Sequence, residues 1–333
     1  MTALERTDLA PRVLRAALLA LVVLVALEGL AFFQYRQHPL ERMAFGYDLD
    51  AGFREQDGEL TIRRSSSRAL WDQRYPVART PGVARVMLVG DSILRGGSYE
   101  DSAAGRLRRE LEQCGMRAEV WNLSSPGYGS QRKHIMVEKA LSYRPDLVVY
   151  QANVTTEYED SREWERKERH ASWHPGLWPE KLPLIGRISL SMNEQVFWKW
   201  LDKEIRAGAD PNGADLEQAM RSKSDLEHWM PLMVENFRHT VALLKGAGVP
   251  LLVLARASLV DDTAEMADLG LEAEIGPLAA REGFAWLSTR QIFSQGDARR
   301  YFFDGTHWTD AGHELIGKAL LRESLRLLGL SCK

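Results

Sequence analysis

Residues 86–92 read VMLVGDS, an apolar run that ends in a glycine, an aspartate and a serine. Such a run is typical of a buried parallel strand, and Gly90 permits the tight turn after it. Apolar residues at helical spacing follow over residues 99–114. Ser92 is therefore predicted to lie between the carboxyl end of a strand and a helix, which is where open α/β sheets bind ligands.

The same order of strand and helix repeats along the chain. Apolar runs predict strands at 84–90, 118–123, 146–152, 249–255 and 284–287, and helical spacing predicts helices at 99–114, 130–142, 232–247, 264–282 and 310–328. Alternating strands and helices imply a parallel sheet with helices on both faces. The sequence thus predicts an α/β fold, a three-layer α/β/α sandwich with a parallel, flavodoxin-like sheet.

A second short motif, DGTH at residues 304–307, stands just before the last predicted helix. A serine hydroxyl is a weak nucleophile at neutral pH, so it needs an imidazole to take its proton, and the imidazole needs an anion to fix its tautomer. Together with Ser92, this motif supplies the hydroxyl, imidazole and carboxylate of nucleophilic acyl transfer. The pair of motifs indicates a serine esterase or acyltransferase.

Two further segments follow predicted strands. Residues 120–129 run into a loop that contains Gly127 and Gly129, and residues 147–153 end at Asn153. A tetrahedral intermediate needs preorganised donors for its oxyanion, which a backbone N–H at a glycine and an asparagine amide can supply.

The order of these four blocks resembles that of the SGNH or GDSL-type hydrolases, and the chain is identified as a bacterial-type, membrane-anchored member. The resemblance implies that Ser92 is the nucleophile, His307 the base and Asp304 the carboxylate that orients the imidazole. It also implies an oxyanion hole made of the Ser92 N–H, the Gly127 N–H and the Asn153 amide.

The glycine loop and the third block leave alternatives open. Gly129 competes with Gly127 for the place of the oxyanion donor. Val154 follows Asn153 where the family usually has aspartate.

Composition fits an ordinary folded domain. The chain has 333 residues, 45% of them hydrophobic, and a net charge of −3. It can bury a sizeable core, and this charge argues against a nucleic-acid partner. We expect no cofactor and no metal, because the spacing of His170 and His174 matches no zinc signature. Two cysteines are too few for a disulfide framework; Cys114 is predicted to lie in the core, and a bond to Cys332 is left open.

The N-terminus carries an apolar segment at residues 16–33, preceded by Arg12 and Arg15. Its length reaches the lower limit for a membrane-spanning helix. We interpret it as an uncleaved anchor that leaves the catalytic domain extracytoplasmic, in the periplasm; a cleavable signal peptide is the rival.

Four regions are predicted: an anchor at 1–35, a connector at 36–83 with a short hairpin near Gly58 to Ile62, an SGNH-like domain at 84–330, and within it an insertion at about 155–231. The insertion is rich in tryptophan and is expected to form a lid over the strand ends. Most of its tryptophans are predicted to pack its own small core.

Other residues near the motifs have predicted places. His134 and Trp308 are candidates for substrate contacts. His313 is expected on the surface of the last helix, and Asp91 is expected to be structural.

Four functions remain open at this stage, the least favoured of which is metal-dependent chemistry. The leading one is removal or transfer of an acyl group, an O-acetyl group on a carbohydrate, through an acyl-enzyme on Ser92. Its partners would be an acylated small molecule or glycan and, through the N-terminal helix, the membrane; a membrane-protein partner is unknown. A lipid or thioester hydrolase is the second function, and an inactive carbohydrate-binding module, suggested by Val154, is the third.

Overall fold

The computed structural model describes residues 3–37, 53–62, 73–125, 127–157, 223–259, 265–294 and 296–332. The N-terminal helix belongs to one compact unit of the chain and the sheets to another. Most of the predicted insertion lies outside the described residues, including Trp173, Trp178, Trp198 and Trp200, and with them His170 and His174.

Helix α1, Ala3–Gln37, contains the predicted apolar segment. Its stretch Pro11–Leu30 spans 20 residues with a mean hydropathy of 2.3, so it is long and apolar enough to cross a membrane. Large apolar side chains such as Leu19 and Leu30 are exposed on it. A signal sequence near an N-terminus has the same length and composition, so these features fit either interpretation.

The predicted hairpin near Gly58 is present. Strands β1, Phe53–Gln56, and β2, Glu59–Ile62, pair antiparallel. Asp57 and Gly58 join them with φ of 53° and 79°, the left-handed backbone that two-residue hairpin turns require. A third strand, β3, Gln73–Pro76, pairs with β2 and was not predicted.

The predicted parallel sheet is confirmed. Its strands are β4 Ala84–Val89, β5 Ala118–Asn122, β6 Leu147–Ala152, β7 Leu251–Ala255 and β10 Ala285–Ser288. They lie in the order β10-β7-β6-β4-β5, and each neighbouring pair is parallel. The chain goes from β4 to one side for β5 and returns to the other side for β6. The carboxyl end of β4 is therefore the switch point at which such sheets bind ligands.

Helices cover both faces of this sheet. They are α2 Ser92–Arg95, α3 Ala103–Gln113, α4 Ser130–Leu141, α5 Lys223–Gly246, α6 Leu271–Glu282, α7 Thr289–Phe293 and α8 Asp310–Leu328, with a 3-10 turn at Ala298–Tyr301. Two small strands, β8 Ser258–Leu259 and β9 Met266–Ala267, pair antiparallel.

The two faces bury separate apolar cores. Met87 and Val89 of β4 pack with Phe237 of α5 on one face. Val86 and Leu88 pack with α3 and α8 on the other. Successive side chains of a strand point to opposite faces, so a strand covered on both sides buries apolar residues on both faces, and three layers result.

Three predicted helix boundaries are wrong. The helix predicted at 232–247 begins earlier, at Lys223. The helix predicted at 264–282 begins at Leu271, because residues 266–267 form β9 and Gly270, with φ of 82°, turns the chain just before the helix. The helix predicted at 99–114 begins at Ala103, because the Ser102 hydroxyl accepts from Gly105 N at 3.3 Å and caps it.

Arg85 is a fully buried cation that the sequence does not reveal. Its Nε donates to Glu119 Oε2 at 2.6 Å, and its terminal nitrogens donate to the Tyr143 carbonyl at 2.8 Å and to the carbonyls of residues 76–78 at 3.2 to 3.3 Å. The guanidinium carbon also lies 4.5 Å from the centre of the Trp121 ring. Arg85 thus ties the segment after β3 to the sheet.

Cys114 and Cys332 form a disulfide bond between the ends of α3 and α8. This bond settles the pairing that the sequence left open. Cys114 is half-buried and bridged, not a free cysteine of the core.

Replacing Arg85 with Met should lower the free energy of unfolding by about 3–5 kcal/mol, because it removes the donor to Glu119 Oε2 and to several backbone carbonyls. Urea denaturation of the full chain measures this loss. The control is Lys318→Met, whose ion pair with Glu314 has half-exposed side chains; it should cost less than about 1 kcal/mol. Similar losses in both variants would contradict this role of Arg85.

Candidate active site

Ser92 is the first residue of α2, directly after the turn that follows β4. Gly90 makes this turn possible, because a Cβ there would collide with Gln151 Oε1 and lie 2.9 Å from the Leu94 side chain. Asp91 caps the short helix, since Ile93 N donates to its Oδ1 at 2.9 Å. The nucleophile predicted from sequence therefore has a rigid support.

The structure brings the three separated residues together. Ser92 Oγ lies 2.9 Å from His307 Nε2. His307 Nδ1 lies 2.7 Å from Asp304 Oδ2, the contact that fixes the tautomer with a free Nε2 acceptor. Asp304 Oδ1 accepts from the backbone N–H groups of Thr306 at 3.1 Å and His307 at 2.7 Å.

The loop that carries Asp304 and His307 is held at several points. Phe303 N donates to the His307 carbonyl at 3.1 Å, and Leu259 N donates to the Gly305 carbonyl at 3.0 Å. Gly305 has φ of 75°, a conformation that favours glycine. This tight turn places the carboxylate and the imidazole side by side.

The charges around His307 make its imidazole more basic. Burial lowers the pKa of His307, but its hydrogen bond to Asp304 and the negative charges of Asp304 and Asp91 outweigh burial, so the pKa is raised above its ordinary value. Burial raises the pKa of Asp304, but the donors on its oxygens outweigh it, so this pKa is lowered. Asp304 is thus ionised near neutral pH.

Asn153, the predicted side-chain donor of the oxyanion hole, follows β6 and is buried. Its Nδ2 donates to Asp91 Oδ2 at 2.6 Å. Its Oδ1 accepts from Thr155 and from Arg256. The side chain is therefore attached to the residue beside Ser92.

The glycine loop approaches the same turn. Ser125 N donates to the Gly90 carbonyl at 3.0 Å. Gly127 has φ of 70°, and its carbonyl accepts from Arg132. Gly129 precedes α4 with an extended backbone. The choice of Gly127 as the oxyanion donor stays a prediction.

Asp91 has the structural place that the sequence suggested, and buried cations that sequence reasoning missed lie around it. Lys133, only 1% exposed, donates to the Gln151 carbonyl at 3.1 Å, and its Nζ lies 3.9 Å from Asp91 Oδ2. Arg256 is 3% exposed. Long cationic side chains usually lie on the surface, so nothing in the local sequence marks these two as buried.

Two predicted positions near the site are wrong. Trp308 is 3% exposed and packs on Phe293 and His313, so it is a core residue with no open face for substrate. His313 is buried, not on the helix surface, and burial lowers its pKa to about 4. Both side chains are buried in the core at the start of α8.

His134 turns towards another helix. Its Nδ1 lies 3.0 Å from Thr240 Oγ1, and its ring is 6.5 Å from that of His239. Both partners belong to α5. Among the described residues, no group of three or more His, Cys, Asp or Glu side chains could hold a metal ion.

No family model and no curated protein matches this chain. Among solved structures, a lipase/acylhydrolase from Enterococcus faecalis is similar at 13% identity over 75% of this chain and 99% of that one, with a TM-score of 0.45. A GDSL-like lipase from Bacteroides thetaiotaomicron is 13% identical over 73% and 87%, at 0.40. A variant of an acetyl-xylooligosaccharide esterase from Geobacillus is 13% identical over 74% and 95%, at 0.43.

These likenesses concern the fold alone. In this chain, the serine after β4 and the Asp-x-x-His loop before α8 meet at the carboxyl edge of a parallel sheet. The fold is the α/β fold with a parallel sheet that the sequence predicts. The SGNH roles of the individual residues stay predictions.

The imidazole of His307 should titrate above its ordinary pKa of about 6.5, and that of His313 at about 4. Changing Asp304 to Asn should move the His307 pKa downwards, because the carboxylate stabilises the protonated ring. NMR titration of isotope-labelled histidines measures both values, with His307→Gln and His313→Gln as assignment controls. A His307 pKa that does not respond to Asp304→Asn would contradict the hydrogen-bonded series.

Proposed function

We propose that this chain is a serine-dependent esterase or O-acyltransferase that forms an acyl-enzyme on Ser92. The hydrogen-bonded series of Ser92, His307 and Asp304 carries the proposal. An imidazole between a serine hydroxyl and a carboxylate is the arrangement that activates a serine for attack on a carbonyl.

Acylation follows from the positions of these atoms. Ser92 Oγ attacks the ester carbonyl while its proton passes to His307 Nε2. The oxyanion that forms is held by the second N–H of the Asn153 amide and by backbone N–H groups of Ser92 and Gly127. When the intermediate collapses, the bond to the alcohol breaks, and His307 returns the proton to the leaving oxygen. Asp304 stays ionised and stabilises the imidazolium.

The second half of the reaction needs an acceptor hydroxyl. Water would release the free acid, and an alcohol of a sugar would receive the acyl group. In both cases His307 takes the proton from the acceptor, whose oxygen attacks the acyl-enzyme and regenerates Ser92. Exclusion of water decides between the two outcomes.

An exposed aromatic ring beside the triad supports a carbohydrate ester as substrate. Phe303 is 69% exposed, and its ring is stacked on the imidazole of His307, with centres 5.5 Å apart and planes at 18°. The second face of the phenyl ring is thus available to a ligand. Aromatic faces offer large apolar contact area, which suits the C–H face of a sugar ring. We propose an O-acetyl group on a carbohydrate.

The N-terminal helix and the disulfide support an extracytoplasmic, membrane-anchored enzyme. Helix α1 has the length and hydropathy of a membrane span. The bond between Cys114 and Cys332 joins residues 218 apart in sequence, and such bonds persist in oxidising compartments such as the bacterial periplasm.

A fluorophosphonate probe should label the full-length chain, purified in detergent, once per molecule as seen by intact mass. Ser92→Ala should abolish the adduct and reduce hydrolysis of p-nitrophenyl acetate by at least about 10³-fold. Ser98→Ala is the matched control, because the Ser98 hydroxyl bonds Asp101 outside the triad; it should label normally. An unlabelled but folded wild type would favour the inactive binding module.

Phe303→Ala should lower kcat/KM for an O-acetylated xylo-oligosaccharide about two- to tenfold more than for p-nitrophenyl acetate, since an aromatic contact contributes about 0.5–1.5 kcal/mol. Steady-state kinetics on both substrates measure the difference, and Phe303→Trp, which keeps an aromatic face, should restore most of it. Equal losses on both substrates would show that Phe303 only supports His307. Activity that rises with acyl chain length would favour a lipid or thioester hydrolase.

A further inference from the structure

The Asn153 amide is held from both ends. Its Nδ2 donates to Asp91 Oδ2 at 2.6 Å. Its Oδ1 accepts from Thr155 N at 3.0 Å, from Thr155 Oγ1 at 2.9 Å and from Arg256 Nη1 at 3.1 Å. Turning the amide over would point N–H groups at these donors and its oxygen at a carboxylate. One orientation is therefore strongly favoured.

The register of the sheet places Arg256 beside Asn153. Ala152 of β6 pairs with Ala255 of β7, and Arg256 N donates to the Ala152 carbonyl at 3.1 Å. The guanidinium is buried with its residue 3% exposed, and Nη1 also donates to Thr155 Oγ1 at 2.7 Å. The pairing of β6 with β7 thus places the Arg256 guanidinium beside the carbonyl oxygen of the Asn153 amide.

We propose that Arg256 is a positioning residue for acyl transfer: it fixes the Asn153 amide so that one N–H remains directed to the acyl oxygen on Ser92, and it strengthens that donor. This inference rests on the proposed function. A primary amide has two N–H groups; the bond to Asp91 uses one of them, and the other is left for the oxyanion.

The positive charge adds to the geometry. A hydrogen bond from a charged donor is shorter and stronger than a neutral one, and bonds in a chain polarise one another in a low-dielectric interior. The guanidinium at Oδ1 draws electron density through the amide and makes its N–H groups better donors. The effect is largest when the carbonyl oxygen carries full negative charge, so it lowers the barrier more than it tightens substrate binding.

The contacts of Asn153 also bear on Val154, which stands where the SGNH family usually has aspartate. Val154 is buried with 3% exposure and has no polar side-chain atom with which to orient its neighbour. Arg256 and Thr155 supply the donors instead, from the next strand and from the residue after Val154. An active oxyanion hole therefore needs no polar side chain at this position.

A double-mutant cycle on the full-length chain tests the proposal. Arg256→Met should lower kcat for p-nitrophenyl acetate about 10²-fold, as expected for a weakened oxyanion donor, with KM changed less than about threefold. In an Asn153→Ala background the same change should cost less than about threefold, because Arg256 acts through Asn153. Rates are expressed per active site, titrated with the fluorophosphonate, so that a loss of folded protein does not enter kcat.

Arg256→Lys is the second variant. It keeps the buried positive charge and tests the proposal even if Arg256→Met does not fold. It cannot reproduce the planar guanidinium and should lower kcat about tenfold, again without further effect in Asn153→Ala. Arg326→Met, at an exposed pair with Glu323, is the control and should match the wild type. Unchanged kcat in the Arg256 variants, or additive losses with Asn153→Ala, would overturn the proposal. A wild type that the fluorophosphonate does not label would overturn the proposed function itself.

Discussion

A buried carboxylate must be surrounded by donors, and the site is arranged around this requirement at Asp91, which is fully buried. One oxygen accepts from Ile93 N and so holds the helix that begins at Ser92. The other accepts from Asn153 and faces Lys133. Ser92 and Asn153 are thereby linked through a single residue.

The second constraint is the topology of the parallel sheet. Because β4 lies between β6 and β5, the chain turns to opposite sides after β4, and the end of β4 is the point at which such sheets bind ligands. The histidine loop must reach this point from a distant part of the chain. Helix α8 brings it there by packing on α3, where Gly317 lies so close to Arg106 that a Cβ would have no room. Ser92 and His307, 215 residues apart in sequence, therefore meet.

The strands and helices that were predicted well are those whose local pattern of apolar residues matches the way they are buried. All five strands of the sheet were predicted to within two residues at each end, and the central strands β4, β6 and β7 are largely apolar because both of their faces are buried. The start of α6, the third strand of the small sheet and the burial of His313 were not predicted. Each depends on a partner segment that lies elsewhere in the chain, such as β2 for β3.

The sequence alone determined the alternation of strands and helices, the fold class and the candidate series of Ser92, His307 and Asp304, because each of these follows from residue type and local spacing. Only the tertiary structure decided the orientation of the Asn153 amide, the burial of Arg85, Lys133 and Arg256, and the bond between Cys114 and Cys332. The physical reason is that a buried charge or amide is stable only beside specific acceptors and donors, and here most of these come from residues far away in sequence.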